Sequence, residues 1–372
     1  MRKISVVLTA ALLLTAFSGY AAGAPLSLED AKALAVSNSA LLKAADLKIE
    51  SDRINAREEL DKKNRAKNTS PPPGLGMVSV VESTLQRRGY YSDTAAAALT
   101  LAELDRERTR NTIEFAVVNA YYGLQNAREM LKIKNESLGI ARENEKSVRL
   151  RHDLGMASAR EVQSAGFAAE ATALEADTAK RAADYARLSL NNVLGIEDGA
   201  ETVLADAPAA LAPPEPIDVA ARIKSALETR YEITALKLSL ALAEKEAEGY
   251  GAFYTTGTYF YQLKAYNVAR AAAALEHAEK AIALSVKKAY YDYLDSYNAA
   301  LSADLGAQAA ALAYGLAQSK FENGVGTGLD VITAQNALDG AKLRRVQAQT
   351  AYTLAWLAFE SLLGVGLEPQ AE

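Results

Sequence analysis

Residues 153–162 read Asp153-Leu154-Gly155-Met156-Ala157-Ser158-Ala159-Arg160-Glu161-Val162. Residues 322–331 read Glu322-Asn323-Gly324-Val325-Gly326-Thr327-Gly328-Leu329-Asp330-Val331. Each is a helix stop followed by a helix start. Gly155 and Gly324 suit the left-handed position just past a helix end. Ser158 and Thr327 suit the next N-cap, with Glu161 and Asp330 three positions on as the acidic half of a capping box. The two tips are related by an offset of 169 (324 − 155). The same offset carries Ala120-Tyr121-Tyr122 onto Ala289-Tyr290-Tyr291, and Leu194-Gly195 onto Leu363-Gly364. One constant offset from Ala120 to Gly195 implies a duplicated unit with no insertion inside it.

The flanks of each tip read as long helices. Upstream of the first tip, Val117, Ala120, Leu124, Ala127, Leu131, Lys134, Leu138, Ala141, Glu145 and Val148 follow a heptad seam. The matching seam runs Val286, Ala289, Tyr293, Ser296, Ala300, Ala303, Ala307, Ala310, Tyr314 and Ala317. The spacing predicts a helix from about Ala95 to Asp153 and a partner returning to Leu194-Gly195. In the second copy, Leu363-Gly364 is the expected end. Such a helix spans roughly 80 Å, too long for a compact domain. The expected fold class is therefore mainly α: two tandem repeats of long antiparallel helical hairpins, a coiled-coil-like tube wall, with a short insertion in each repeat.

At the N-terminus, residues 1–24 read as a signal peptide, with cleavage between 21 and 24: basic Arg2-Lys3, a short apolar run, then small residues. The first repeat is expected over 25–197, with insertion 67–94 and tip 153–161. A Pro/Ala linker follows at 198–216. The second repeat covers 217–366, with insertion 249–267 and tip 322–330, before a tail at 367–372. Matching Ser37-Asn38-Ser39 to Thr229-Arg230-Tyr231 gives an offset of 192 for the first helices, so the first copy is longer by about 23 (192 − 169). The insertions are rich in valine, or in Tyr, Phe and Thr, which favours strand; helix-to-helix connections fit them equally. A strand pair crossing a bilayer needs about 22 residues or more. The first insertion could hold one; the second is too short.

Chemistry is sparse. There is no cysteine, and His152 and His277 lie far apart, so no metal site is expected. No nucleophile motif or glycine-rich phosphate loop occurs, and an enzyme is not expected. A net charge of −5 gives no reason to expect nucleic-acid binding. No catalytic or cofactor-binding residue and no cofactor is implied.

The duplicated unit, the Ala-Tyr-Tyr start, the Gly-x-x-Ser/Thr-x-x-acid-Val turn, the Leu-Gly end and the stretch Leu26-Ser27-Leu28-Glu29-Asp30-Ala31 together resemble the TolC-like outer-membrane efflux protein family. The resemblance implies a homotrimer forming an export duct of a multicomponent efflux or secretion system. It implies an exported protein of the cell outer membrane with a periplasmic helical part. It also implies two partners, a periplasmic adaptor and an inner-membrane pump. Gly155, Ser158, Gly324 and Thr327 would be adaptor-docking positions. Asp330 would line a periplasmic gate, or simply complete the Thr327 cap. Tyr250, Phe253, Tyr254, Tyr259, Phe260 and Tyr261 would be membrane-interface aromatics. The competing reading is a non-conducting helical envelope rod or tether.

Overall fold

The computed structural model describes residues 25–67, 76–206 and 211–368. The signal-peptide expectation lies outside them. The elements, in chain order, are β1 (Pro25–Leu26), α1 (Leu28–Asn38), α2 (Ala40–Ala66), α3 (Met77–Arg88), α4 (Tyr90–Asp153), α5 (Ala159–Leu194), β2 (Val203–Leu204), α6 (Val219–Thr229), α7 (Tyr231–Gly251), α8 (Tyr259–Glu322) and α9 (Gly328–Ser361). The two long helices, α4 and α8, have 64 residues each, about 96 Å at 1.5 Å per residue. Their starts (90 and 259) and ends (153 and 322) are both offset by 169. α4 forms a hairpin with α5, and α8 with α9.

α4 is the shared helix. In the half nearer the tips it contacts α5 and α9; in the other half, α2 and α7; α8 lies against α9 and α7. The helices thus form a wall, with α8 on one edge and α5 and α2 on the other. Both heptad seams point into this wall: every seam residue is buried or half-buried. The cores sit at equivalent places. Val117, Tyr121, Leu190 and Leu194 form one with Ala31 and Ala35 of α1. Val286, Phe359 and Leu363 form the other with Ala226 of α6 and Ile233 of α7. The aromatics Tyr293, Tyr352 and Trp356 stack beside the second core, with Tyr293 and Tyr352 ring centroids 5.1 Å apart.

The crossing segment is tied down locally. β2 pairs in parallel with β1. Arg187 donates to the carbonyls of Asp198 and Ala200, and Thr202 donates to Asn191 at 2.6 Å. The C-terminal segment is held similarly: Tyr231 N donates to Val365 O at 3.2 Å, and Glu368 N to Thr112 at 2.8 Å.

Four expectations need correction. The described parts of the insertions are helical, not stranded. Among the described residues the only strands are β1 and β2, two residues each. In 77–88, Val81 and Leu85, one helical turn apart, are buried and α3 packs on α2, α4 and α7; that burial overrides the β preference of valine. In 249–267 the aromatics stack along a helix-turn-helix, Tyr250 on Tyr254 and Tyr254 on Phe260, and Thr258 caps α8. Second, α4 begins at Tyr90, ahead of the expected Ala95, because Gly89 (φ 84°) ends α3 and the chain turns directly into helix. Third, the first helices register at 191, not 192: α1 to α6 is 28 to 219, and α2 to α7 is 40 to 231. The caps Ser27 and Asp218 set that register, and the first copy's excess becomes 22 (191 − 169). Fourth, α9 ends at Ser361, and the left-handed glycine beyond it is Gly366 (φ 94°), not Gly364.

α3 approaches α7 closely at Gly249, where an added Cβ would collide with the buried Leu85 side chain. Gly249→Ala is expected to cost about 1–3 kcal/mol of stability through overpacking, read by denaturant unfolding. Combined with Leu85→Ala, the total loss should be smaller than the sum of the two single losses, because the pair is in contact.

Candidate functional site

The tips are built as their sequence dictates. In the first, Gly155 takes φ 74°; its N–H donates to His152 O at 2.8 Å, and Met156 N donates to Arg151 O at 2.7 Å. That is a Schellman closure. Ser158 N then donates to the Glu161 carboxylate at 2.6 Å, and Glu161 N returns a bond to Ser158 Oγ at 3.3 Å. The second tip repeats this with Gly324 (φ 75°), Thr327 and Asp330, at 2.9 and 3.2 Å. A Cβ at Gly155 or Gly324 would meet nothing, so both glycines are there for the positive φ alone.

The two tips lie at the same level. The Arg151 guanidinium sits 4.1 Å over the Phe321 ring, joining the last turn of α4 to that of α8. Four large apolar side chains project from them: Leu154, Met156, Val325 and Leu329, each mostly exposed. Asp330 is at the tip and engaged as the Thr327 cap partner.

Both cap carboxylates are held below the usual range, Glu161 by the Ser158 backbone and hydroxyl donors, Asp330 by the Thr327 hydroxyl and backbone N–H. A lowered folded value means the cap stabilises above the unfolded values, about 4.3 for Glu and about 3.9 for Asp, and loses that contribution as pH falls through the lowered values. Residues 158–161 and 327–330 are therefore expected to lose amide-exchange protection, relative to intrinsic rates, only below about pH 4.

At the other end, the expected interface aromatics divide. Phe253, Tyr259 and Phe260 are exposed; Tyr250, Tyr254 and Tyr261 are half-buried, with Lys264 placed 4.7 Å over the Tyr250 ring. Three of the six, Tyr250, Tyr254 and Phe260, come together there as a stacked row, without strands; no ring contact joins Phe253, Tyr259 or Tyr261 to it.

One functional pattern escaped the sequence reading. Phe167, Leu174 and Leu188 are exposed on α5, and Tyr291, Leu305 and Leu312 on α8. Their distances from the tip glycines match pair by pair. Phe167 and Leu312 share a separation of 12 (167 − 155, 324 − 312). Leu174 and Leu305 share 19 (174 − 155, 324 − 305), and Leu188 and Tyr291 share 33 (188 − 155, 324 − 291). The remaining heptad level, at 26, holds Arg181 and Asn298. The signal was the sevenfold spacing on residues outside the intramolecular seam. Two edges of the wall, which do not face each other within one chain, therefore carry matching apolar stripes. α2 continues its edge with exposed Leu41, Leu47, Ile54 and Leu60.

Among the described residues no group of His, Asp or Glu side chains is disposed to hold a metal, and no helix is long and apolar enough to cross a membrane.

The sequence matches the outer membrane efflux protein family model over residues 261–365. No curated protein matches it. Solved structures share the fold. The outer-membrane channel OprN is 17% identical, with 92% of this chain and 91% of that one covered and a TM-score of 0.72. VceC, an outer membrane protein from Vibrio cholerae, is 16% identical, with 92% and 97% covered and a TM-score of 0.68. The CmeC outer membrane channel of Campylobacter jejuni is 15% identical, with 93% and 87% covered and a TM-score of 0.65. At these identities the likeness is one of fold.

Proposed function

We propose that this chain is the duct of an efflux or secretion assembly: a trimeric helical tube of the outer membrane and periplasm, passive, with no catalysis of its own. The observation that carries the reading is the pair of level-matched stripes on α5 and α8. A patch on one edge that complements a patch on the opposite edge is a heterologous interface, and such interfaces close into rings when the rotation allows. A non-conducting rod gives no reason for two such edges. Three copies follow from the likeness to TolC-like channels. The solved relatives are described as outer-membrane channels, which supports the same compartment here.

The tips suit the docking end. Gly155, Ser158, Gly324 and Thr327 fix the two turns, and the exposed Leu154, Met156, Val325 and Leu329 form the apolar surface that a periplasmic adaptor would cover; an inner-membrane pump would complete the assembly. Asp330 supplies a negative group at the mouth in each copy, while holding its cap. The repeat division, 25–197 and 217–366 about a 198–216 linker, is read as the two hairpin units each copy contributes.

The test is reconstitution. The purified protein in planar bilayers should give discrete conductance steps, and its disruption in cells should raise the retention of exported compounds. A stable monomer, or a trimer with no conductance in bilayers and no export phenotype, would leave the tether reading in place of this one.

A further inference from the structure

The two tips differ at one chemically important position. Asn323 precedes Gly324, whereas the equivalent residue in the first tip is Leu154 (323 − 169). Asn323-Gly324 is the only Asn-Gly pair in the chain. The turn does not need the amide: Leu154 takes φ −86° and ψ 3°, and Asn323 takes φ −83° and ψ 4°. An asparagine followed by glycine is prone to react with its own backbone. Glycine has no side chain to crowd the approach, so its nitrogen can reach the preceding amide carbon. The folded tip holds the two apart. At ψ 4° the Gly324 nitrogen nearly eclipses the Asn323 nitrogen, so it does not eclipse Cβ, as ring closure requires. The Gly324 N–H donates to Phe321 O at 3.1 Å, and Asn323 Nδ2 donates to Ser319 O at 2.8 Å. Both residues are exposed and lie just past the end of α8, where local opening costs least.

We propose that Asn323-Gly324 is a self-modifying site gated by the second tip. It is closed in the folded turn and converts to aspartyl and isoaspartyl forms when that turn opens. The Gly324 nitrogen gives its proton to water or hydroxide and bonds to Asn323 Cγ. The Cγ–Nδ2 bond breaks and ammonia leaves with a proton returned by water, which closes a succinimide ring. Water then opens the ring at either carbonyl. Cleavage of the new N–Cγ bond leaves aspartate. Cleavage of the original peptide bond leaves isoaspartate, with Cβ in the main chain. Nothing is oxidised or reduced. Either product loses the donor to Ser319 O and places a carboxylate at the negative end of the α8 dipole, beside Glu322. The isoaspartyl form also lengthens the main chain inside the loops closed by Gly324 N to Phe321 O and Val325 N to Lys320 O, so the same turn cannot re-form. The first tip, with Leu154 before Gly155, has no such reaction.

The test incubates the full purified chain in mildly alkaline buffer, folded or unfolded in guanidinium chloride. Mass spectrometry then follows the tryptic peptide Phe321–Lys342. Conversion of amide to acid should localise to Asn323 and run at least about tenfold slower in the folded chain, because it waits for opening. Isoaspartyl peptide should accompany the aspartyl one, since direct hydrolysis of the amide gives aspartate alone. Phe321→Ala removes the ring that Arg151 covers. It should speed conversion in the folded chain and leave the unfolded rate unchanged, with circular dichroism checking that the variant stays helical. Equal rates in folded and unfolded wild type overturn the gate, as does no acceleration in folded Phe321→Ala. Aspartate without isoaspartate overturns the ring. Conversion of another asparagine ahead of Asn323 in the unfolded chain overturns the site. None of these outcomes involves a membrane, an adaptor or a trimer, so each leaves the duct reading as it stands.

Discussion

A chain carrying Leu305→Asp and Leu312→Asp is expected to be a helical monomer without duct activity. Both side chains are exposed in the protomer, 57% and 78%, so the fold of one copy loses nothing when they change. In the ring each would face the α5 edge of the next copy, near Leu174 and Phe167 respectively. Burying a leucine is worth about 1.5–3 kcal/mol. Its replacement by a carboxylate facing an apolar side chain adds a desolvation cost of several kcal/mol unless water reaches it. Each ring contains this contact at every interface, so the penalties recur and the assembly should dissociate. Light scattering in solution would read the mass directly. A matched change on the partner edge, Leu174→Lys with Phe167→Lys, should restore part of the association when combined with the aspartates, because the charges then oppose in the same levels. Unchanged mass in the aspartate variant would remove the α5–α8 contact from the account.

Tyr121→Ala is expected to be the most damaging single change to the protomer, at about 3–5 kcal/mol. Tyr121 is fully buried and stands where four segments meet. Its hydroxyl can donate to Leu26 O at 3.0 Å or to the Asp206 carboxylate at 2.9 Å, and it accepts from Asp206 N at 3.3 Å. The same carboxylate accepts from Leu28 N at 2.8 Å, at the start of α1. One side chain thus links β1, α1, α4 and the crossing segment. Burial pushes its hydroxyl pKa up to about 12, so it stays a donor throughout the physiological range. Tyr121→Phe keeps the ring and isolates the hydroxyl; its expected cost is about 1–3 kcal/mol, because Asp206 N–H loses its acceptor, while Leu26 O keeps the Ala205 N–H and the Asp206 carboxylate keeps the Leu28 N–H. Tyr290, the counterpart in the second copy, is only half-buried beside Phe359, and Tyr290→Ala should cost clearly less. Denaturant unfolding in the Leu305→Asp, Leu312→Asp background would compare the three without a contribution from subunit association. Equal losses at 121 and 290 would contradict the clamp assigned to Tyr121.

The parts of the fold legible in sequence were those set by neighbouring residues or one repeating face. The tips needed only Gly155 and Gly324 for the left-handed turn and Ser158/Glu161 and Thr327/Asp330 for the boxes, and all formed as read. The seams were legible because their partner helix lies in the same chain. The far end was not, because Val78-Ser79-Val80-Val81 carries a strand preference that only the burial of Val81 and Leu85 against α2, α4 and α7 reverses. The tripeptide match puts the first helices one residue out of register because it spans no cap, whereas Ser27 and Asp218 hold the N-caps. The edge stripes were written in the sequence at a spacing of seven. That spacing is silent on its own because nothing within one chain faces the stripes, and only the wall's layout shows which leucines are left without a neighbour.

The chain has no cysteine, so a single engineered pair reports cleanly. The most direct measurement of the ring is cross-linking of a Leu174→Cys, Leu305→Cys protein with a short thiol-reactive linker, resolved on a denaturing gel. The account predicts bands at two and three chain masses, with the ladder ending there, and none from either single cysteine variant. Absence of a cross-link, or a ladder running past three chains, would contradict a closed trimeric tube.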